Sequence, residues 1–124
     1  MNFLKRLFFG RKTDAPLIIT AKIISIVKHH NSDHLNILSV YIGTNEPQQI
    51  VCGAPNVRVG LVGVLARPGA KLPCFPEPLS IREIRGIKSF GMMCSEQELG
   101  ISDNHDGIIE LPSNSKIGVK YERS

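Results

Sequence analysis

The chain has 124 residues, 42% of them hydrophobic, which suits one compact domain and leaves no room for two. Three cysteines, Cys52, Cys74 and Cys94, are an odd number with no CxxC pair, which argues against a disulfide framework and leads us to expect a reducing, cytoplasmic setting. The formal net charge of +4 resides in residues 1 to 12, which carry four basic side chains and no acid, so total charge alone says little about a polyanionic partner.

The opening stretch MNFLKRLFFGRK mixes Phe3, Leu4, Leu7, Phe8 and Phe9 with Lys5, Arg6, Arg11 and Lys12. Its apolar runs fall far short of the roughly 20 residues a membrane-spanning helix needs, so no membrane span is expected; residues 1–16 read as a basic tail, with a short amphipathic helix on a membrane surface or a partner, or a weak organelle address, as the alternatives. From Leu17 to Val27 nearly every residue is β-branched or apolar, and the run stops at the polar cluster Lys28 to His34, which reads as a long strand entering a turn. Leu35 to Ile42 is a second strand. The connection Gly43-Thr44-Asn45-Glu46-Pro47 is of hairpin length and leads to a third run, Gln48 to Cys52, so a three-stranded meander follows.

Gly53-Ala54-Pro55-Asn56 breaks the pattern and Val62 to Ala66 restores a strand. Pro68-Gly69, Pro73, Pro76 and Pro78 predict an irregular loop, because proline cannot donate to a ladder. Leu79 to Lys88 reads as a strand ending in a turn near Gly86, and Gly91 to Cys94 as a short apolar continuation. Ser95-Glu96-Gln97-Glu98 has the form of a capping box, with Gly100 placed to end a brief helix. Gly107 to Leu111 is a last strand, and beyond Pro112 the polar sequence reads as tail-like. Five or six short strands with one short helix and irregular loops predict an all-β fold, a small closed or partly open barrel.

Charge is unevenly spread along this frame. Asn56 to Lys88 holds six basic residues against two acids, a net +4, whereas Glu96 to Glu110 holds five acids and no base, a net −5. Such polarity can turn a basic face toward a polyanion while the acidic part points elsewhere, although ordinary solvated surface gives the same pattern.

The cluster Lys28-His29-His30-Asn31-Ser32-Asp33-His34 has three histidines, yet the spacing suits a turn in which Asp33 bonds its own backbone, and no closing pair of ligands follows. No metal site and no cofactor are expected. Without a nucleophile elbow, a phosphate loop or HExxH, no catalytic residue is expected either. Cys52 and Cys94, at strand ends, read as buried small hydrophobes, and Cys74, between prolines, as the exposed thiol. Two stretches have the chemistry of RNA contact. In Val51 to Arg58, Asn56 offers an amide and Arg58 a guanidinium fork; equally, Asn56 can stabilise its own turn. In Arg85 to Ser95, two cations, a hydroxyl and soft or aromatic side chains lie among glycines that permit close backbone approach. One of Met92 and Met93 is expected in the core. With 6% aromatic residues and no tryptophan, shape and backbone recognition are expected rather than base stacking.

The motifs KHHNSDHL (28–35), IVCGAPNVRVGL (50–61), ARPGAKLP (66–73), IRGIKSFGMMCSEQELGIS (84–102) and HDGIIELP (105–112) resemble the tRNA-binding domain found near the N-terminus of the bacterial phenylalanyl-tRNA synthetase β subunit and in free-standing tRNA-binding proteins. The resemblance covers about Ala21 to Gly118. It implies an OB-fold barrel over residues 17–118, with 119–124 as a C-terminal tail, that holds tRNA by its shape and is not itself catalytic. Carried over by position, the implied RNA contacts are Asn56, Arg58, Lys71, Arg85, Lys88, Ser89, Met92 and Ser95, with Ser95 and Glu96 opening the helix. The implied partners are tRNA and, alternatively, a synthetase subunit or a second copy of the chain, which a docking module with little RNA affinity would serve. This sequence departs from the family at His30 and His34, where proline and lysine are usual. It also departs in the loop Cys74-Phe75-Pro76-Glu77-Pro78, which lacks the usual lysines.

Overall fold

A computed structural model of the protein describes residues 15–122. The basic stretch at the N-terminus, up to residue 14, lies outside the described residues, as do the last two positions. Five strands form one antiparallel sheet in the order β3-β2-β1-β4-β7: β1 (Ile18–Lys28), β2 (Asn36–Tyr41), β3 (Gln48–Cys52), β4 (Val62–Ala66) and, seventh in the chain, β7 (Met92–Met93). A separate two-stranded hairpin consists of β5 (Arg82–Ile84) and β6 (Ile87–Ser89). The result is the expected all-β, OB-type barrel of five strands, and the meander of the first three strands is as the sequence predicts.

The long first strand explains the curvature. Its second half pairs with β2 and its first half with β4, and the register shifts between Ile23 and Ser25. An irregularity of this kind bends and twists a strand, which lets β1 serve both halves of a rolled sheet. Ile19, Ala21 and Ile23 alternate into the interior and meet Leu38 and Val40 of β2, Ile50 of β3 and Leu65 of β4. All five residues of β4 are buried, because Leu65 faces this interior while Val64 and Ala66 face a second cluster with Ala70, Leu72 and Cys94. A strand covered on both faces reads as a continuous apolar run, as Val62 to Ala66 does.

The barrel is not closed by a ladder. Between β3 and the chain leading into β7, the Phe90 amide donates to the Gln49 carbonyl at 2.9 Å and the Val51 amide donates to Ser89 Oγ at 2.9 Å. Ser89 Oγ in turn donates to the Gly91 carbonyl at 2.9 Å, so one buried hydroxyl replaces a missing strand partner along the seam.

Four expectations need correction. Leu79 to Lys88, read as one strand, instead contributes the β5–β6 hairpin with its turn at Arg85 and Gly86. No helix occurs among the described residues: 96–100 form successive turns. The capping box is present, with Ser95 N and Oγ donating to Glu98 Oε1 at 2.7 and 2.9 Å, but Gly100 at φ 73° ends the turn before a helix can propagate. Gly107 to Leu111 is extended but makes only single contacts, Ile109 N to Cys94 O and Leu111 N to Val62 O, and is not a ladder strand. The segment after Pro112, expected as a tail, is tied to β1 as far as Tyr121. Gly118 N and Tyr121 N donate to Thr20 O and Ile18 O, and Thr20 Oγ1 donates to Lys116 O at 2.7 Å. This segment fills the edge of β1 that β2 leaves open.

Candidate nucleic-acid interface

The hairpin gathers three exposed basic side chains on one short element. Arg85 and Gly86 occupy its two turn positions with φ of 50° and 88°, and positive φ at both central residues matches the right-handed strand twist of a tight hairpin. Arg82, Arg85 and Lys88 are exposed, and Glu83 lies opposite Lys88 in the register. Among the described residues the only ion pair is elsewhere, between Arg58 and Glu110, so no carboxylate neutralises the three hairpin cations by direct contact.

The hairpin is bound to the body at both ends. At the strand end, Gln49 Nε2 donates to the Lys88 carbonyl at 2.9 Å beside the Ser89 seam. At the tip, Arg85 Nη1 donates to the Asn31 carbonyl at 2.9 Å, and the ring of His29 meets the Ile84 carbonyl through Nε2 at 3.1 Å. His29 is 1% exposed, so the turn that the sequence presents as solvated holds one buried side chain. Ser32, rather than Asp33, makes the local cap of this turn, its Oγ accepting from the His34 and Leu35 amides. Asp33 instead offers its carbonyl to Lys28 Nζ at 2.6 Å.

Beside the hairpin lies a cleft of about 320 Å³ lined by Val51, Cys52 to Pro55, Met92, Met93, Ser95, Glu98, His105, Gly107 and Ile108. Val51 and Met92 also line a separate, smaller recess of about 90 Å³ with Arg82, Ile84 and Ser89, so these two residues stand between the cleft and the hairpin. Where the sequence leaves open whether Asn56 stabilises its own turn, the structure shows it joining a distant one. Its Nδ2 donates to Ile108 O and Glu110 Oε2, both at 2.9 Å, and its Oδ1 accepts from Ile108 N at 3.0 Å. Arg58 Nη2 donates to Glu110 Oε1 at 2.8 Å. The Arg58 hydrogen bond, then that of Asn56, holds the Glu110 carboxyl below the ordinary carboxylate range, and Glu110 raises the guanidinium in return.

The sequence candidates thus divide by what their side chains are free to do. Arg85 and Lys88 stand together on the hairpin and Arg82, which the sequence reading did not single out, stands with them. Arg58 is exposed but shares its charge with Glu110, and Asn56 has both amide hydrogens engaged. Ser89 and Ser95 are buried, with hydroxyls committed to the seam and to the turn. Met92 is half-buried on the cleft wall and Met93 is in the core, as the sequence implies for one of the pair. Lys71 opens onto a different, largely apolar groove of about 640 Å³ with Leu17, Leu99, Ile101, Lys120 and Tyr121. His29 was missed because the pattern KHHNSDH looks uniformly polar, and burial is set by a hairpin more than fifty residues away. Cys52 and Cys94 are buried and Cys74 is exposed, as expected. Burial pushes the Cys52 thiol up, and burial together with the charge of Glu98 pushes Cys94 up to about 12.

The family model described as "Putative tRNA binding domain" matches residues 18–120 of the chain. The phenylalanine–tRNA ligase beta subunit of Bartonella henselae is 53% identical over 103 residues, covering 83% of this chain and 13% of that protein. The corresponding subunit of Brucella abortus is 50% identical over 101 residues, 82% of this chain and 13% of its own length. The chain therefore spans only about an eighth of the length of the curated relatives it matches. Among solved structures, the C-terminal domain of Plasmodium vivax p43 has a TM-score of 0.46 and 20% identity over 60% of this chain and 42% of that one.

Proposed function

The chain belongs to the tRNA-binding domain family and is homologous to that domain of the phenylalanine–tRNA ligase beta subunit, and from this premise we propose that it binds tRNA by shape and backbone in support of aminoacylation, without a catalytic role of its own. The observation that carries the reading is the cluster of Arg82, Arg85 and Lys88, none of them in an ion pair, on a hairpin that carries the single acid Glu83 and is tied to the body beside Met92. Guanidinium and ammonium groups on a rigid turn suit a phosphate backbone, because positions rather than base edges are being matched. Arg58, and Lys71 farther off, add positive charge at the flanks, with Glu110 moderating Arg58.

A second reading, docking to a synthetase subunit or to a second copy, is favoured by the apolar groove around Leu17, Leu99 and Tyr121, which lies away from the hairpin. One titration separates the two. Bulk tRNA is added to the full chain at several salt concentrations, beside a variant with Lys5, Arg6, Arg11 and Lys12 changed to Gln and an Arg85→Ala/Lys88→Ala variant. The tRNA reading expects binding that weakens steeply with salt and survives neutralising the tail. The hairpin double variant should lose about tenfold or more in affinity and shed about two units of the log–log salt slope, one for each lost phosphate contact. Binding that vanishes with the tail charges would assign the barrel to docking instead, and binding that ignores the hairpin substitutions would move the tRNA contact off the hairpin.

A further inference from the structure

We infer that His29, buried beneath the first turn, is the positioning residue that fixes the tip of the Arg82–Ser89 hairpin in its tRNA-binding pose. The inference rests on the function proposed above for that hairpin. The geometry is specific. His29 Nδ1 accepts the Asn31 amide hydrogen at 3.0 Å, so this nitrogen carries no proton, and the ring's single N–H belongs to Nε2. That N–H donates to the Ile84 carbonyl at 3.1 Å, the last residue of β5 before the turn. Asn31, whose amide orients the ring, is the same residue whose carbonyl receives Arg85 Nη1.

The imidazole therefore reads two backbone segments at once, the 28–34 turn on one nitrogen and the hairpin tip on the other. Its own backbone is fixed by a bond from the His29 amide to the Leu35 carbonyl at 3.0 Å. The exposed ring of His30 stacks on it with centroids 5.2 Å apart and planes 18° from parallel, closing the outer side. The seam at Ser89 holds only the other end of the hairpin. Without the His29 link, the tip would be tied to the first turn by the exposed Arg85–Asn31 contact alone, which engages only one guanidinium nitrogen. His29 touches no ligand in this scheme; it acts through the placement of Arg85 and its neighbours.

The test uses the full chain and His29→Phe, which keeps a ring in the buried site and removes both hydrogen bonds, with His29→Gln as a companion that retains a donor should the first variant fold poorly. Nitrogen-15 imidazole spectra of the unsubstituted protein should show the Nε2–H tautomer. In His29→Phe, the Asn31 amide and the hairpin amides should exchange at least tenfold faster while those of β1, β2 and β4 keep their protection. Affinity for bulk tRNA should fall about tenfold, with a shallower salt slope. Because His29 acts through the hairpin, Arg85→Ala should cost less affinity in the His29→Phe background than alone. Unchanged exchange at the hairpin, or faster exchange with unchanged tRNA affinity, would overturn the inference. If the unsubstituted protein fails to bind tRNA, the functional reading fails with it, whereas the exchange data and the tautomer still decide whether His29 fixes the hairpin.

Discussion

The β1–β4 sheet and the β5–β6 hairpin are held by different forces. The sheet buries Ile19, Ile23, Leu38, Val40, Ile50 and Leu65 almost completely, each such side chain contributing about 1.5 to 3 kcal/mol relative to exposure. Every residue of the hairpin except Ser89 is exposed or only half-buried, and it meets the body through a handful of hydrogen bonds from His29, Gln49, Arg85 and Ser89. An intramolecular hydrogen bond is worth about 1 kcal/mol net. The sheet is therefore a cooperative unit in which damage anywhere is felt everywhere, and the hairpin is an attachment whose placement single polar residues decide. The hairpin's three cations stand on the second kind of support, because side chains kept exposed contribute no burial.

Two glycines test this contrast most sharply. Gly91 lies where the hairpin rejoins the barrel, at φ 145°, and a Cβ there would sit 2.6 Å from the Ala66 carbonyl oxygen of β4. Gly86 lies at the hairpin tip at φ 88°, and a Cβ there meets nothing within 4 Å. Gly91→Ala combines backbone strain with a clash that no side chain can relieve, and should destabilise the protein by on the order of 3 kcal/mol. Gly86→Ala has only the conformational term, about 1 kcal/mol. Thermal unfolding should separate them by roughly 8 °C or more in Tm. Equal losses at both sites would mean that the hairpin is as integral to folding as the barrel.

The cysteines extend the contrast to pH. A thiol ordinarily titrates near 9.0, and the folded state holds Cys94 up to about 12, with Cys52 raised in the same direction. Between pH 9 and 12 the unfolded chain has lost a proton that the folded chain keeps, so stability falls as pH rises through that window. The slope for one such group is at most about 1.4 kcal/mol per pH unit. Urea unfolding from pH 7 to 11 should show the decline, and Cys94→Ala should flatten it. At neutral pH a thiol reagent should label Cys74 alone in the folded protein and all three cysteines once it is unfolded; rapid native labelling of Cys94 would show that the second core cluster opens easily.

What the sequence makes legible follows the same division. Gln48 to Cys52 and Val62 to Ala66 coincide with their strands residue for residue, because burial on a sheet leaves an apolar record at fixed spacing. The capping box at Ser95 and Glu98 is equally visible in sequence, yet its helix does not form, since a local signal starts a turn and only packing or length sustains a helix. Arg85 and Lys88 could be chosen from charge and motif alone. Ser89 could not be told from a surface serine, nor His29 from its solvated neighbours, because each is defined by a partner distant in the chain: Val51 for the one and Ile84 for the other. Polar residues buried by long-range contacts carry no periodic signature, and the two that bond to the hairpin and its seam are of this type.

Arg85 itself gives the smallest effect and the finest discrimination. Its backbone, at φ 50°, is in the left-handed region, where a non-glycine side chain other than Asn or Asp is disfavoured by about 1 kcal/mol or more. Asparagine is at home at this turn position, and Asn-Gly is a strongly preferred pair for it. Arg85→Asn therefore relieves the turn while losing the contact to the Asn31 carbonyl. The two effects leave stability unchanged or raised by about 0.5 kcal/mol. Affinity for tRNA should move the other way, falling several-fold with the salt slope shallower by about one unit. Opposite signs from a single substitution would mean that the turn tolerates strain in order to present a guanidinium. A parallel loss of stability and affinity would mean instead that Arg85 is chiefly a tether, and would transfer the phosphate contact to Arg82 and Lys88.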